Sequence, residues 1–181
     1  MIQELKVATS RVGVLIGKGG ATKKELETKT HTTISIDSKE GLVKVEGAEE
    51  NAIPLLRAVE IINAINAGFS PERAFEMIED EDLLLDVIDL SRAADNPKQL
   101  DRLRGRIIGK DGRAREQIEN MTDVDLSVFG HTVALIGYPE QMKVARAAID
   151  MLIEGVPHEN VFAFLDKKKK EAKQDMISYY Y

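Results

Sequence analysis

The feature that most constrains how this chain folds is a glycine-bracketed loop that occurs twice. Val14-Leu15-Ile16-Gly17-Lys18-Gly19-Gly20-Ala21-Thr22-Lys23-Lys24 returns 92 residues later as Arg106-Ile107-Ile108-Gly109-Lys110-Asp111-Gly112-Arg113-Ala114-Arg115-Glu116. At the same offset Gly13 matches Gly105, Leu26 matches Ile118, Glu27 matches Glu119 and Thr30 matches Thr122. A single Gly-x-x-Gly is common by chance, but its recurrence inside a longer matched frame marks a duplicated module. In each copy an apolar pair runs into the loop and a basic, helix-forming segment leaves it, so each loop joins two helices. Glycine lets the backbone take positive φ and come close to another backbone. The restarting helix presents unpaired N–H groups at its positive end, where phosphate binds.

Charge is concentrated at these loops. Residues 11–24 hold four basic side chains and no acid, and residues 102–115 hold six basic side chains and one acid, Asp111. Lys18 and Lys110 place a mobile cation at each tip, so both loops read as phosphate clamps. The net charge of −6 over 181 residues does not oppose this reading, because the distribution of charge matters more than its sum. Residues 76–89 alone carry seven acids and no base. A nucleotide-binding P-loop is excluded by spacing, since it needs four residues between its glycines and a Ser or Thr after the Lys. Here Gly13 to Gly17 and Gly105 to Gly109 enclose three, and Gly19 and Asp111 follow the lysines.

The flanking segments set the order of elements. After the first loop a helix runs to about residue 29, and residues 32–37 alternate polar and apolar as a strand with one buried face. A turn over 38–41 leads to a second strand, 42–47, and a long helix, 48–67, with Ile53, Leu56, Val59, Ile62 and Ile65 at helical spacing. Pro54 falls in its first turns, where a missing N–H matters least. Thr9 and Ser10 read as caps for the helix entering the first loop. The second copy repeats the order with a strand at 124–129, a turn at Gly130-His131, a strand at 132–137 and a helix at 140–153. That helix has Met142, Ala145, Ala148, Ile149 and Leu152 as its core stripe. Strands over 2–8 and 84–90 precede the copies. In the second, residues 91–97 form a loop or short helix before a helix over 98–108 that bears Arg102, Arg104 and Arg106. An added helix follows each copy: Ser70-Pro71 supplies cap and first-turn signals for 71–79, and the segment beginning Gly155-Val156-Pro157 parallels Gly68-Phe69-Ser70.

This strand–helix–GxxG–helix–strand–strand–helix order resembles the type I KH domain, a module that grips about four nucleotides of single-stranded RNA. The resemblance implies an α+β fold of two tandem type I KH domains, 1–80 and 81–181. Each would be a three-stranded antiparallel sheet packed on three helices, with an extra C-terminal helix, and the second would end in a basic tail. It implies RNA contacts from Val14, Ile16, Gly17, Lys18, Gly19, Gly20, Lys23 and Lys24 in the first copy. In the second they come from Arg104, Arg106, Ile108, Gly109, Lys110, Asp111, Gly112, Arg113 and Arg115. In this family one face of the strand after the loop contributes to an apolar groove floor. Ile34 and Ile36, with Leu126 and Val128 in the second copy, either line that floor or serve as core residues, and the sequence leaves the choice open.

The second half is more distinctive. Residues 101–112, then Ile118-Glu119-Asn120, then His131-Thr132-Val133-Ala134-Leu135-Ile136-Gly137, are similar to the KH-domain small-subunit ribosome-assembly factors of archaea and eukaryotes, partners of the Nob endonuclease. The tail segment 155–162 is similar too. This resemblance implies binding near the 3′ end of small-subunit (pre-16S or 16S) ribosomal RNA during pre-rRNA processing. It implies protein partners in the rRNA-trimming endonuclease and the dimethyladenosine transferase of small-subunit maturation. The residues offer no nucleophile–base arrangement and no metal-ligand spacing, so no cofactor, metal or catalysis is expected. Eukaryotic members carry a degraded first Gly-x-x-Gly, so the intact Gly17-Lys18-Gly19-Gly20 favours an archaeal member with two working clamps. Asp111 sets an acid beside the expected phosphate: either Lys110, Arg113 and Arg115 offset it, or the second copy faces protein. The competing readings are a protein-recruiting scaffold, built on the acidic stretch and the terminal Tyr179-Tyr180-Tyr181, and a general mRNA- or translation-linked KH protein.

The rest of the chain narrows the classes further. Absence of cysteine removes disulfide frameworks and thiolate sites. No apolar run approaches the roughly 18–20 residues that span a bilayer, and no basic-then-apolar leader pattern opens the sequence, so a cytoplasmic location without membrane contact is expected. His31, His131 and His158 fall in turns or helix starts and read as surface histidines. Asp86 and Asp89, three apart on a strand, face opposite sides and do not form a carboxylate pair. The four lysines at 167–170 read either as added phosphate affinity or as a frayed, soluble helix end.

Overall fold

The computed structural model describes residues 1–180; Tyr181, the last of the terminal tyrosines, lies outside the described residues. The chain divides into two compact units, Met1–Leu85 and Asp86–Tyr181. In the first, β1 (Ile2–Lys6) leads to α1 (Thr9–Ile16), α2 (Ala21–Thr30), β2 (Thr33–Asp37), β3 (Leu42–Glu46), α3 (Ala52–Asn66) and α4 (Pro71–Glu79). Its antiparallel sheet has the order β1-β3-β2, with Ile34 opposite Val45 and Leu5 opposite Val43. Ile34, Val43 and Val45 are buried beneath the helices, as period-2 alternation requires.

Two local expectations change. Neither Thr9 nor Ser10 caps α1: both are helical, and Ala8 precedes them without a side-chain cap. The start is fixed from afar instead, by the Ala8 amide donating to Asn66 Oδ1 at 2.8 Å. The buried stripe of α3 is Leu55, Ala58, Ile61, Ile62, Ala64 and Ile65, whereas Ile53 is 83% exposed and Leu56 is 45% exposed. The true stripe includes alanines, whose small side chains let α3 lie close to its neighbours, so counting only large apolar residues misplaces the face. Pro54 does lie in the first turn, and α4 begins behind a Ser70 cap whose Oγ accepts from Arg73 N.

The second unit repeats the plan. Its elements are β4 (Leu84–Asp89), α5 (Pro97–Ile108), α6 (Arg113–Thr122), β5 (Asp125–Phe129), β6 (Thr132–Gly137), α7 (Pro139–Glu154) and α8 (His158–Tyr180), with sheet order β4-β6-β5. One core joins Ile107, Ile118, Leu126 and Leu135 to the α7 stripe Met142, Ala145, Ala148, Ile149 and Leu152, and to Val161 and Leu165 of α8. That stripe is the one the sequence predicts. Asp86 and Asp89 are indeed separate: Asp86 pairs with Arg146 at 2.7 Å, and Asp89 accepts from the Ser91 hydroxyl and amide. Those bonds hold the Asp89 carboxyl below its ordinary pKa. The lysine run is part of a continuous helix to Tyr180 rather than a frayed end, and Lys170 pairs back to Asp166 at 2.9 Å. No described helix is long and apolar enough to cross a membrane.

Candidate nucleic-acid interface

Both loops adopt one backbone. Gly17 has φ 77 and ψ 175, and Gly109 has φ 75 and ψ 177. Gly19 (φ 61, ψ 22) is matched by Asp111 (φ 55, ψ 27), and Gly20 (φ 78, ψ 13) by Gly112 (φ 74, ψ 11). The dihedrals of Gly17 and Gly109 fall in a region open essentially to glycine alone. A Cβ on Gly17 would stand 2.8 Å from the Thr22 amide nitrogen, and one on Gly109 would stand 2.8 Å from that of Ala114. The turn closes with two bonds in each copy: Gly17 N–H to Gly13 O and Gly20 N–H to Gly17 O, then Gly109 N–H to Gly105 O and Gly112 N–H to Gly109 O. The chain thus reverses in one turn and aims a new helix N-terminus outward. Lys18 and Lys110 are exposed at the tips, with no carboxylate partner among the described residues.

The matched glutamates explain themselves here. β2 and β5 are edge strands, each with one row of backbone groups left open by the sheet. Glu27 accepts from Ile34 N–H at 3.0 Å, and Glu119 accepts from Leu126 N–H at 3.3 Å. Each glutamate is held in turn by a cation one helical turn earlier: Lys23 at 3.4 Å from Glu27, and Arg115 at 3.6 Å from Glu119. The cation, the acid and the strand amide form one relay that fixes the post-loop helix against the edge strand. Lys23 and Arg115, expected as RNA contacts, are thus also ion-pair partners of these glutamates. The matched threonines close the same helices, Thr30 Oγ1 donating to Leu26 O and Thr122 Oγ1 to Ile118 O, each at 2.7 Å.

Arg106 also departs from expectation. Its Nε donates to Leu152 O at 2.9 Å and its other guanidinium nitrogen to Val156 O at 2.6 Å, so it grips the turn that ends α7. In the first unit Arg11 does the same, donating to Ile65 O and Phe69 O at 2.8 Å each. Gly68 and Gly155 sit in those turns at positive φ. Arg11 aligns with Leu103 and Arg106 with Val14, so the two units build one clamp from different turns of the same helix. Burial lowers the pKa of Arg11 from its usual value, without bringing an arginine near neutrality. Sequence reasoning had no signal for this role, because a guanidinium is counted as charge before its direction is known.

Ile34 and Leu126 are 2% exposed and belong to the core, so they are withdrawn as ligand contacts. Their period-2 partners Ile36 and Val128 are half-buried, as are Val14, Ile16 and Ile108. These half-buried aliphatics lie on the loop-bearing helices and the edge strands, one set in each unit. Lys24 is exposed. Arg104 reaches Asp101 at 3.8 Å, and its Nε is buried without a hydrogen-bond partner. Arg113 is exposed at the start of α6. His158 is not a free surface histidine, since its Nε2 lies 2.8 Å from Arg106 O. In sum, each unit offers a cationic loop, a helix N-terminus and an aliphatic shelf, the chemistry that takes a phosphate on one side and a base on the other. Among the described residues no His/Cys/Asp/Glu group could hold a metal.

Comparison with known proteins gives the following matches. Residues 84–170 match a family described as the eukaryotic type KH-domain (KH-domain type I), and residues 2–64 match the KH domain family. The KH domain-containing protein MJ0443 of Methanocaldococcus jannaschii is 38% identical over 175 residues, spanning 96% of this chain and 76% of that protein. The pre-rRNA-processing protein pno1 of Emericella nidulans is 25% identical over 148 residues, spanning 81% of this chain and 57% of that longer protein. A chain in the crystal structure of the a/eIF2alpha–aDim2p–rRNA complex from Pyrococcus horikoshii OT3 shares 42% identity at a TM-score of 0.88, with 94% of this chain and 95% of that one covered.

Proposed function

The chain belongs to the KH-domain family that includes archaeal Dim2p and eukaryotic pno1, and from that premise we propose that it is a non-catalytic, single-stranded-RNA-binding factor of small-subunit rRNA processing. The observation that carries this is the shared backbone of the two loops, which holds even where the second replaces glycine with Asp111. Gly17 to Gly20 and Gly109 to Gly112 seat the sugar–phosphate edge. Lys18, Lys24 and Lys110 neutralise it, and Ile16 and Ile36, with Ile108 and Val128, receive the bases. The RNA is the 3′ region of the small-subunit rRNA, the location is the cytoplasm, and the trimming endonuclease and dimethyladenosine transferase act on the same RNA end. The scaffold reading is weaker than its acid count implies, because Glu79 pairs with Lys29 and Asp86 with Arg146.

Titration of labelled oligonucleotides from the rRNA 3′ end, against scrambled sequences of equal length, tests the proposal. Selective binding is expected, and uniform weak affinity for every sequence would overturn it. Incubation of the pure protein with precursor RNA and Mg²⁺ should leave the RNA intact.

A further inference from the structure

One feature of the second unit lies outside its loop and its aliphatic shelf. A cleft of about 480 Å³ opens beside the second loop, lined by Arg102 and Arg106 of α5, Lys110, Arg113 of α6, and His158 and Phe162 of α8. No residue of β5 or β6 contributes to it, so it is separate from the shelf formed by Ile108 and Val128. Its volume suits a ligand the size of one nucleotide. Arg102, Lys110 and Arg113 are exposed and have no carboxylate partner among the described residues. Arg106 is fixed by two carbonyls and His158 by the Arg106 carbonyl, so the back wall is rigid and cationic. A carbonyl only accepts, so His158 Nε2 carries the proton and Nδ1 faces no such demand. The Phe162 ring, its centroid 6.1 Å from that of His158 and tilted 59° to it, adds an aromatic side chain to the wall.

The same scaffold in the first unit keeps only part of this. With the loops and closing turns matched, Arg102, Arg106, Arg113 and His158 fall on Ser10, Val14, Ala21 and Pro71; Lys18 and Phe75 are retained, and Arg11 takes over the grip on the closing turn. The exposed cations Arg102 and Arg113 are therefore not by-products of the fold. We propose that this cleft is a second RNA subsite, taking the phosphate and base of a nucleotide that flanks the segment held by the second loop. Cations with no compensating acid select an anion, the ring wall selects a planar base, and the shared Lys110 makes the cleft continuous with the loop. This rests on the reading of the loops as RNA clamps.

Binding of a tetranucleotide and a nonanucleotide from the rRNA 3′ end is measured by anisotropy at fixed salt. Arg102→Ser installs the residue of the first unit at an exposed position on α5, outside the loop. It should weaken the nonanucleotide about fivefold and leave the tetranucleotide within about twofold. Phe162→Leu keeps an aliphatic side chain against the core and should weaken the nonanucleotide about threefold or more. Lys169→Ser removes equal charge from the distal helix and should have little effect. If the wild type binds both oligonucleotides while the cleft variants retain its nonanucleotide affinity, or the distal variant loses as much, the subsite is overturned and the loop reading stands. Equal loss for both lengths also overturns it, because the cations would then act in the groove. If the wild type binds neither oligonucleotide, both readings fall.

Discussion

At position 111 an aspartate occupies a place that asks for a glycine. Left-handed backbone costs most residues about 1–2 kcal/mol, but Asp and Asn pay less because their short side chains bond locally. Asp111 therefore preserves the loop that Gly19 builds in the first unit, and what it changes is charge. Asp111→Gly should leave the melting temperature within a degree or two and tighten RNA about two- to fivefold at low salt, since it removes an anion close to phosphate. The reciprocal Gly19→Asp should also leave folding intact and weaken RNA by a similar factor; calorimetry beside anisotropy separates the two effects. Gly109 has no such tolerance. Gly109→Ala puts a Cβ 2.5 Å from that of Ala114, at dihedrals closed to L-residues, and should cost at least about 2 kcal/mol in urea unfolding. The composition of the loop was legible in the sequence, but the equivalence of Gly19 and Asp111 was not. A residue code reports the carboxylate, while the positive φ that it tolerates becomes visible only once the backbone is known.

Among the elements, the clamp at the end of α3 and α7 makes the sharpest prediction. Arg11 and Arg106 reach matching turns from positions one helical turn apart. Arg11→Leu, the residue found at Leu103, should strand the Ile65 and Phe69 carbonyls and destabilise the first unit by about 1–3 kcal/mol. Adding Val14→Arg, which completes the arrangement of the second unit, should restore at least half of that loss. Absence of any restoration in urea unfolding would mean that the two turns are not equivalent. The glutamate relay is tested by hydrogen exchange: Glu27→Ala should speed exchange of the Ile34 amide by roughly fivefold, as expected for losing about 1 kcal/mol of local protection, while Glu27→Gln keeps an acceptor and most of the protection. The sequence showed that Glu27 and Glu119 recur but not why, since their partners are backbone amides seven residues away on an edge strand. The α7 stripe was legible because its large apolar residues and alanines fall on one face. In α3, Ile53 and Leu56 form a second, exposed apolar row that competes with the buried one, and only packing decides between them.

For the molecule as a whole, duplication made the fold readable. An order of elements that appears twice is harder to misassign than one seen once, and each unit holds the predicted three-stranded sheet. Net charge was the less informative global quantity. A chain of charge −6 that binds RNA must do so through cations that its own acids leave unpaired. In and beside the loops these are Lys18 and Lys24 in the first unit and Arg102, Lys110 and Arg113 in the second; Lys23, Arg104, Arg106 and Arg115 are engaged by carboxylates or carbonyls. For single strands each neutralised phosphate contributes about −0.7 to the slope of log K against log salt. If every unpaired cation is used, the slope is about −3.5; if the second unit acts alone, it is about −2. Lys18→Ala then assigns the remainder, reducing the slope by about 0.7 if the first loop is engaged and by nothing if it is idle. A slope near zero for the wild type would show that affinity comes from base contacts alone, and the loops could no longer be regarded as phosphate clamps.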